Sequence, residues 1–317
     1  MSKPGLLQMS GVVVDLVYEV KCMPSPGEEA DVRRSLISAG GGYNAMAAAK
    51  RAGIKVTYGG AHGTGLMADL VRKALQEESI PCLQARSNLA DQGSCVVLVD
   101  ENGERTFITK HGAEGLLNGV QLPSLGPDDQ DWVLVSGYGL AQEGSCAALC
   151  AWLAGLPAET RVLFDPSPVI SRVPKDALEC ALSRATWVSA NAEEAAYLTG
   201  TDSPSRAAEA LAASRSNAAG GAILRRGPEG CWLAPDGRAA VHIEGFPTRP
   251  IDTTGAGDAH VGTFIAGLCK GQEPGEAAKL ANAAAAISTT RLGPAGAPKD
   301  GEAQDLLKRQ GGLASNA

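Results

Sequence analysis

The sequence predicts an α/β protein, a doubly wound, largely parallel sheet flanked by helices, with a small β-sheet lid. Three observations carry that expectation. Short β-branched runs alternate with longer alanine-rich runs along most of the chain. Two segments break this alternation with a period-two pattern. A turn rich in glycine, with two aspartates, opens an apolar helix near residue 255. Near-continuous apolar strands separated by helices need a parallel sheet covered on both faces. Right-handed crossovers then gather the ligand loops at the carboxyl ends of the strands.

In chain order the strand candidates are GVVVDLV (11–17), VTYGG (56–60), WVLVSG (132–137), RVLFDP (161–166), TWVSAN (186–191) and GAILRRG (221–227). The helix candidates between them are NAMAAAKRAG (44–53), MADLVRKALQEES (67–79), CAALCAWLAGL (146–156), KDALECALSRA (175–185), NAEEAAYLTG (191–200) and PSRAAEALAAS (204–214). The exceptional segments are 29–40 and 93–114. Both alternate apolar with polar residues, and Glu101-Asn102-Gly103-Glu104 reads as a hairpin turn. A small antiparallel sheet with one wet face follows, able to cover a ligand cleft. No repeat or linker divides the chain, so residues 1–317 read as one domain.

The 317 residues carry a formal net charge of −7, with 44% apolar and 20% charged side chains. That balance suits a packed globular core. It argues against a nucleic-acid or anionic-membrane surface, which needs a concentrated basic patch. No apolar stretch is long enough for a transmembrane helix. The N-terminal MSKPGLLQMSGVVVDLV lacks the basic, apolar and small-residue succession of a secretory leader, so a cytoplasmic protein is expected. The eight cysteines are scattered without C-x-x-C spacing or nearby histidines and read as reduced core thiols.

The stretch DTTGAGD (252–258) has a chemical logic of its own. Glycines free the backbone so that the amides of Gly255, Ala256, Gly257 and Asp258 can point into one concavity. The helix beginning there adds the positive end of its dipole, which favours a phosphate. Asp258 beside such a hole can accept the proton of an attacking hydroxyl while the amides stabilise a transferring phosphoryl group. Taken alone, the same residues also suit a capped helix after a tight turn.

These seven residues resemble the C-terminal signature of the ribokinase, or PfkB, family of carbohydrate kinases, and the resemblance continues in order over residues 8–310. SAGGGYNAMAAAKRAG (38–53) is similar to the family's N-terminal glycine motif; it implies that Gly41 and Gly42 let the backbone approach a sugar and that Asn44 bonds its hydroxyls. Asp15 falls on the substrate-binding acid, and Tyr43 and Tyr138 fall near the acceptor. NAEE (191–194) resembles the Asn-x-x-Glu motif, which places Asn191 at the nucleotide and Glu194 in the water shell of a magnesium ion. RRGPEG (225–230) resembles the phosphate loop, implying nucleotide contacts by Arg225, Gly227 and Gly230. ANAAAAISTTRLG (281–293) resembles the helix and loop beside the adenine, with Asn282 toward the nucleotide. The chain departs from the pattern at Ala39, Ala192, Arg225 and Ala297.

The resemblance implies a ribokinase-like fold whose lid comes from 29–40 and 93–114, and an ATP-dependent, magnesium-requiring kinase acting on a primary hydroxyl of a sugar or sugar-like compound. Asp258 is then the base, with Gly255, Ala256 and Gly257 as the anion hole. A monovalent cation, potassium, is expected within a ring made by the Asp252 carboxylate and the carbonyls of Thr254, Ser288, Arg291 and Gly293. Lid pairing implies a possible homodimer. Two alternatives stay open: a nucleoside kinase of the same fold, with Tyr43 or Tyr138 stacking on a base, and a non-catalytic sugar-binding sensor. A dinucleotide-dependent oxidoreductase is disfavoured, because Gly40–Gly42 does not directly follow the first strand as a Rossmann fingerprint would.

Overall fold

The computed structural model describes residues 4–117, 122, 132–216, 220–299 and 301–314. In chain order the strands are β1 (Gly5–Gln8), β2 (Val12–Val20), β3 (Val32–Gly41), β4 (Lys55–Tyr58), β5 (Ser94–Val99), β6 (Arg105–Lys110), β7 (Trp132–Ser136), β8 (Arg161–Asp165), β9 (Trp187–Asn191), β10 (Gly221–Arg225), β11 (Gly230–Pro235) and β12 (Val241–Glu244). The helices are α1 (Gly42–Arg51), α2 (Leu66–Glu77), α3 (Gly137–Leu140), α4 (Glu143–Gly155), α5 (Lys175–Arg184), α6 (Ala192–Thr199), α7 (Pro204–Ala213), α8 (Ala256–Cys269), α9 (Pro274–Thr289) and α10 (Glu302–Ala314).

The large sheet runs β12-β11-β10-β9-β8-β7-β1-β4, parallel from β10 to β4 and antiparallel at the β11 and β12 edge. Alternation along each strand explains why helices cover both faces. Leu6, Leu134, Leu163, Trp187 and Ile223 enter one apolar cluster with residues of α1, α8 and α9. Their neighbours Leu7, Val133, Val135, Val162, Phe164, Val188 and Leu224 enter a second, with residues of α4, α5 and α7. Side chains of successive strand residues point to opposite faces, so a strand apolar at every position demands two cores.

The second sheet has the order β3-β2-β5-β6. Both segments expected to form the lid contribute to it. The hairpin turn between β5 and β6 is also where expected: Gly103 takes φ +80°, and Asp100 Oδ1 accepts the Asn102 and Glu104 amides at 2.9 Å each. Two expectations need correction. Residues 11–17 do not belong to the parallel sheet; from Val12 on they lie in β2, within the small sheet, and the large sheet starts instead at GLLQ. A β-branched run encodes a strand but not which sheet receives it, and Val12 and Val14 are buried while Val13 and Leu16 are partly exposed. The small sheet is also mixed, because β2 pairs antiparallel with β3 but parallel with β5.

β1 is the pivot of the molecule. Its next partner along the chain, β4, lies on one side of it, while β7 and all later parallel strands lie on the other. At such a reversal the loops diverge and leave a crevice at the carboxyl ends of the strands. The small sheet stands over that crevice.

Candidate functional site

A cavity of about 250 Å³ fills the crevice. Its floor consists of strand ends: Gln8 closing β1 with Ser10 just beyond, Ser136 closing β7, and Asp165 closing β8. The small sheet contributes Asp15, Cys95, Phe107 and Thr109, with His111 just beyond β6, and the start of α8 contributes Gly255 and Asp258. Gly41, Gly42, Asn44 and Tyr138, the residues expected at the acceptor, also line it. Ser136, Phe107, His111, Gln142 and Asp165 were not singled out from sequence. Only Asp165 carried a usable signal, an acid closing an apolar strand at the sheet edge where ligands gather.

The turn before α8 is held by one glycine in particular. Gly255 takes φ +74°, and a Cβ there would collide with the Pro294 carbonyl oxygen. No other residue satisfies both demands. The amides of the first helical turn lack partners one turn back; that of Ala256 reaches the Thr253 carbonyl at 3.3 Å. Asp258 stands in this turn and accepts from Asn44 Nδ2 at 3.2 Å. The two helices approach closely because Gly262 leaves room for the Ala45 carbonyl. Burial, reinforced by the charge of Asp165, pushes the Asp258 carboxyl up to about 6, against the pull of Asn44 and Arg225. Asn44 is buried, and its Oδ1 has no hydrogen-bond partner in the protein.

The glycine motif works through backbone contact. Gly41, at φ +60°, packs against the Gly11 carbonyl, and the Gly42 amide donates to that carbonyl at 2.9 Å. Gly40 matters as much, since a Cβ there would strike the Asp15 carboxylate. Asp15 thereby fits beneath the small sheet. Burial, and then the charge of Asp258, pushes its carboxyl up to about 7.

On the other flank, Arg225 closes an ion cluster. Its Nη1 donates to Asp165 Oδ2 at 2.8 Å and Ser189 Oγ at 2.9 Å, and its Nη2 lies 3.4 Å from Glu194 Oε2. Glu194 is buried, and burial together with Asp165 raises its pKa. Asn191 and Glu194 form a reciprocal capping box at the start of α6. The Asn191 side chain is thus engaged within its own helix cap. Gly227, at φ +58°, has open space above it, whereas Gly230 is required because a Cβ would strike the Ile243 carbonyl.

Two expected ligand roles are corrected. Asn282 does not face the cleft: it is buried, its Nδ2 donates to the Ile243 and Glu244 carbonyls at 3.0 Å each, and its Oδ1 lies 3.2 Å from His260 Nε2. It ties α9 to β12. The residues expected to surround potassium do converge, but the Asp252 carboxylate at their centre is already held by donors of the protein itself. Asp252 Oδ1 accepts the Thr254 amide at 2.9 Å and Arg105 Nη2 at 3.0 Å, and Oδ2 accepts the Gly293 amide at 3.0 Å. The Ser288 carbonyl accepts the Arg291 amide at 3.1 Å. The Arg291 guanidinium donates to the carbonyls of Gly296 and Ala297 at 3.3 Å each. Burial works to raise the Asp252 carboxyl, but these amides and the Arg105 charge outweigh it and hold the group below the usual carboxylate range. A further cation would meet the Arg105 guanidinium, and Ala297 offers no hydroxyl, so this donor set does not fit potassium.

The sequence model described as pfkB family carbohydrate kinase matches residues 11–300. The chain is 29% identical to the uncharacterized sugar kinase YegV of Escherichia coli over 287 residues, which cover 90% of this chain and 88% of that one. It is 27% identical to the ribokinase of Haemophilus influenzae, covering 91% and 93% of the two chains. The structure of an Arabidopsis thaliana ribokinase complexed with ribose and ATP superposes with a TM-score of 0.77 at 21% identity, covering 97% of this chain and 99% of that one.

Proposed function

Because the chain belongs to the pfkB family of carbohydrate kinases, we propose that it transfers the γ-phosphoryl group of ATP to a primary hydroxyl of a neutral sugar, with Asp258 as the base. The observation that carries this reading is the position of the Asp258 carboxylate, facing the cavity from the first turn of α8. In this reaction the acceptor oxygen forms a bond to the γ-phosphorus as the bridge to the β-phosphate breaks. The hydroxyl proton passes to Asp258. Amides of Gly255, Ala256 and Gly257 stabilise the phosphoryl oxygens, and Arg225, packed behind Gly257, adds positive charge to that side. Asn44 holds the Asp258 carboxylate in place, and its free Oδ1 can take an acceptor hydroxyl.

Among the described residues, no three acidic, histidine or cysteine side chains gather closely enough to bind a metal by themselves. Magnesium would therefore enter with the nucleotide, and Asp165 and Glu194 are the acids able to hold its water shell. Bound there, the ion would supply positive charge to offset that of the transferring phosphate.

The neutrality of the acceptor follows from the lining. Asp15, Glu114, Asp165 and Asp258 face the cavity, and among the described residues no lysine or arginine does. A sugar acid or sugar phosphate would bring negative charge to these carboxylates without a counter-charge. Such juxtaposition costs several kcal/mol, so anionic acceptors should lag neutral ones by roughly 10²-fold or more in kcat/KM. The test is ATP consumption against neutral sugars, sugar acids, sugar phosphates and nucleosides. An anionic acceptor turning over within tenfold of the best neutral sugar would overturn the acceptor class. A nucleoside outpacing every sugar would assign the aromatic rings of Phe107 and Tyr138 to base stacking instead. No consumption with any acceptor, alongside sugar binding, would support the sensor.

A further inference from the structure

β6 sends one side chain away from the small sheet to the turn that precedes α8. Arg105 Nη2 donates to Asp252 Oδ1 at 3.0 Å, and both Nη1 and Nη2 lie 3.2 Å from Thr253 Oγ1. The ion pair is substantially withdrawn from water, its side chains retaining 27% and 14% exposure. A planar guanidinium can hold two oxygens of one turn in a fixed geometry, which a spherical ion or an ammonium does less well. Each residue it grips leads on to the anion hole. Asp252 fixes the amides of Thr254 and Gly293, and the Thr253 carbonyl receives the amide of Ala256. Gly255 lies between these anchors, with Pro294, the residue after Gly293, packed against it.

We propose that Arg105 is a resident cation, a positioning residue that takes the place of a monovalent metal ion at Asp252 and orders the α8 amides when the small sheet is seated over the cleft. The charge that neutralises Asp252 then arrives from the small sheet itself, so seating that sheet and ordering the anion hole become one event. For its rate measurements the inference rests on the kinase reading above; its binding measurements do not.

The first consequence concerns the unaltered protein. Turnover and Tm should be the same in potassium chloride and in tetramethylammonium chloride at equal ionic strength of about 100 mM, where screening is matched. Removing the guanidinium should leave Asp252 half-buried with amide donors but no counter-charge, a site that attracts potassium. Arg105→Ala should therefore lose on the order of tenfold in kcat, as misplaced oxyanion donors do. It should also bind a non-hydrolysable ATP analogue severalfold more weakly. Potassium, but not tetramethylammonium, should raise its Tm and restore part of both losses. Arg105→Lys, keeping the charge without the fork, should fall between and show little potassium response.

Potassium activation or a potassium-dependent Tm in the unaltered protein would overturn the proposal, and that comparison stands even if Arg105→Ala fails to fold. An Arg105→Ala protein with unchanged kcat, analogue affinity and potassium response would overturn it too. If no acceptor is phosphorylated, the kinase reading fails, while analogue affinity and Tm still decide the role of Arg105.

Discussion

Asp258 stands among charges of its own sign. Burial and the nearby Asp165 carboxylate hold its carboxyl up at about 6, where Asn44 and Arg225 only partly compensate. As the proposed base, Asp258 would work only when ionised, so the raised value has a definite consequence for rate: kcat/KM should be level above neutrality and fall by about tenfold per pH unit once the pH drops below about 6. Replacing the base should remove that dependence together with the rate. We expect Asp258→Asn to lower kcat by on the order of 10² to 10⁴, because the amide keeps the shape but cannot take the proton, while nucleotide affinity stays nearly unchanged. Turnover within threefold of the parent enzyme would remove Asp258 from the mechanism. A surviving activity with the same acid limb would assign the titration to another group, for which Asp15, pushed up to about 7, is the first candidate.

At the scale of elements, the site depends on how α8 and α9 are held against the sheet. Asn282 of α9 makes two hydrogen bonds to β12 carbonyls and a third to His260 of α8. Asn282→Ala would leave buried carbonyls unpaired, at a cost of about 1–3 kcal/mol. Its Tm should fall by several degrees while the KM for ATP changes less than about twofold, since the side chain faces away from the cleft. A tenfold rise in KM at unchanged Tm would return Asn282 to the nucleotide site. This residue also marks the limit of what a sequence discloses. The parallel strands β7 to β10 were legible because their interiors are almost continuously apolar, and α8 because its glycines fall where a tight turn must precede a helix. β1 was not legible: GLLQ is four residues long and contains no β-branched side chain. Asn282 was legible as a position and illegible in direction, because a helix that is small and apolar on most of its surface does not tell which face meets the sheet. Arg105 offered no local pattern at all. Its meaning lies in a partner 147 residues away.

At the scale of the whole molecule, one buried carboxylate gathers the segments that lead into and out of the small sheet. The chain crosses between the two sheets beside Gly11, Gly42, Gly93 and Gly112, and Glu114 sits at the crossing. Its Oε2 accepts the Gly93 amide at 2.7 Å and its Oε1 accepts the Gly112 amide at 2.9 Å. Gln92 Nε2 lies 3.4 Å from the same carboxylate and also donates to the Val12 carbonyl at 2.6 Å. A Cβ on Gly11 would come within 2.9 Å of Glu114 Cγ, so the first crossing is pressed directly against this side chain. Glu114 therefore pins the entries to β2 and β5 and the exit from β6 in one place, and the tilt of the small sheet over the cavity is set there. Hydrogen bonds to a charged group contribute about 1.5–3 kcal/mol each. Glu114→Ala should loosen the small sheet before the large one, because residue 114 belongs to neither apolar cluster, and the small sheet enters them with the buried residues Val12, Val14 and Ala39 only. Amide exchange in β2, β3, β5 and β6 should quicken by roughly 10- to 100-fold, with β7, β8 and β9 unchanged, the bonds to Glu114 being the ones that hold local opening in check. The KM for the acceptor should rise more than that for ATP, since the small sheet supplies Asp15, Phe107 and Thr109 to the cavity. Exchange that quickens equally in both sheets would make Glu114 an ordinary core residue. Exchange that does not change would show that the two sheets are joined by other contacts, chiefly the grip of Arg105 on the turn at Asp252.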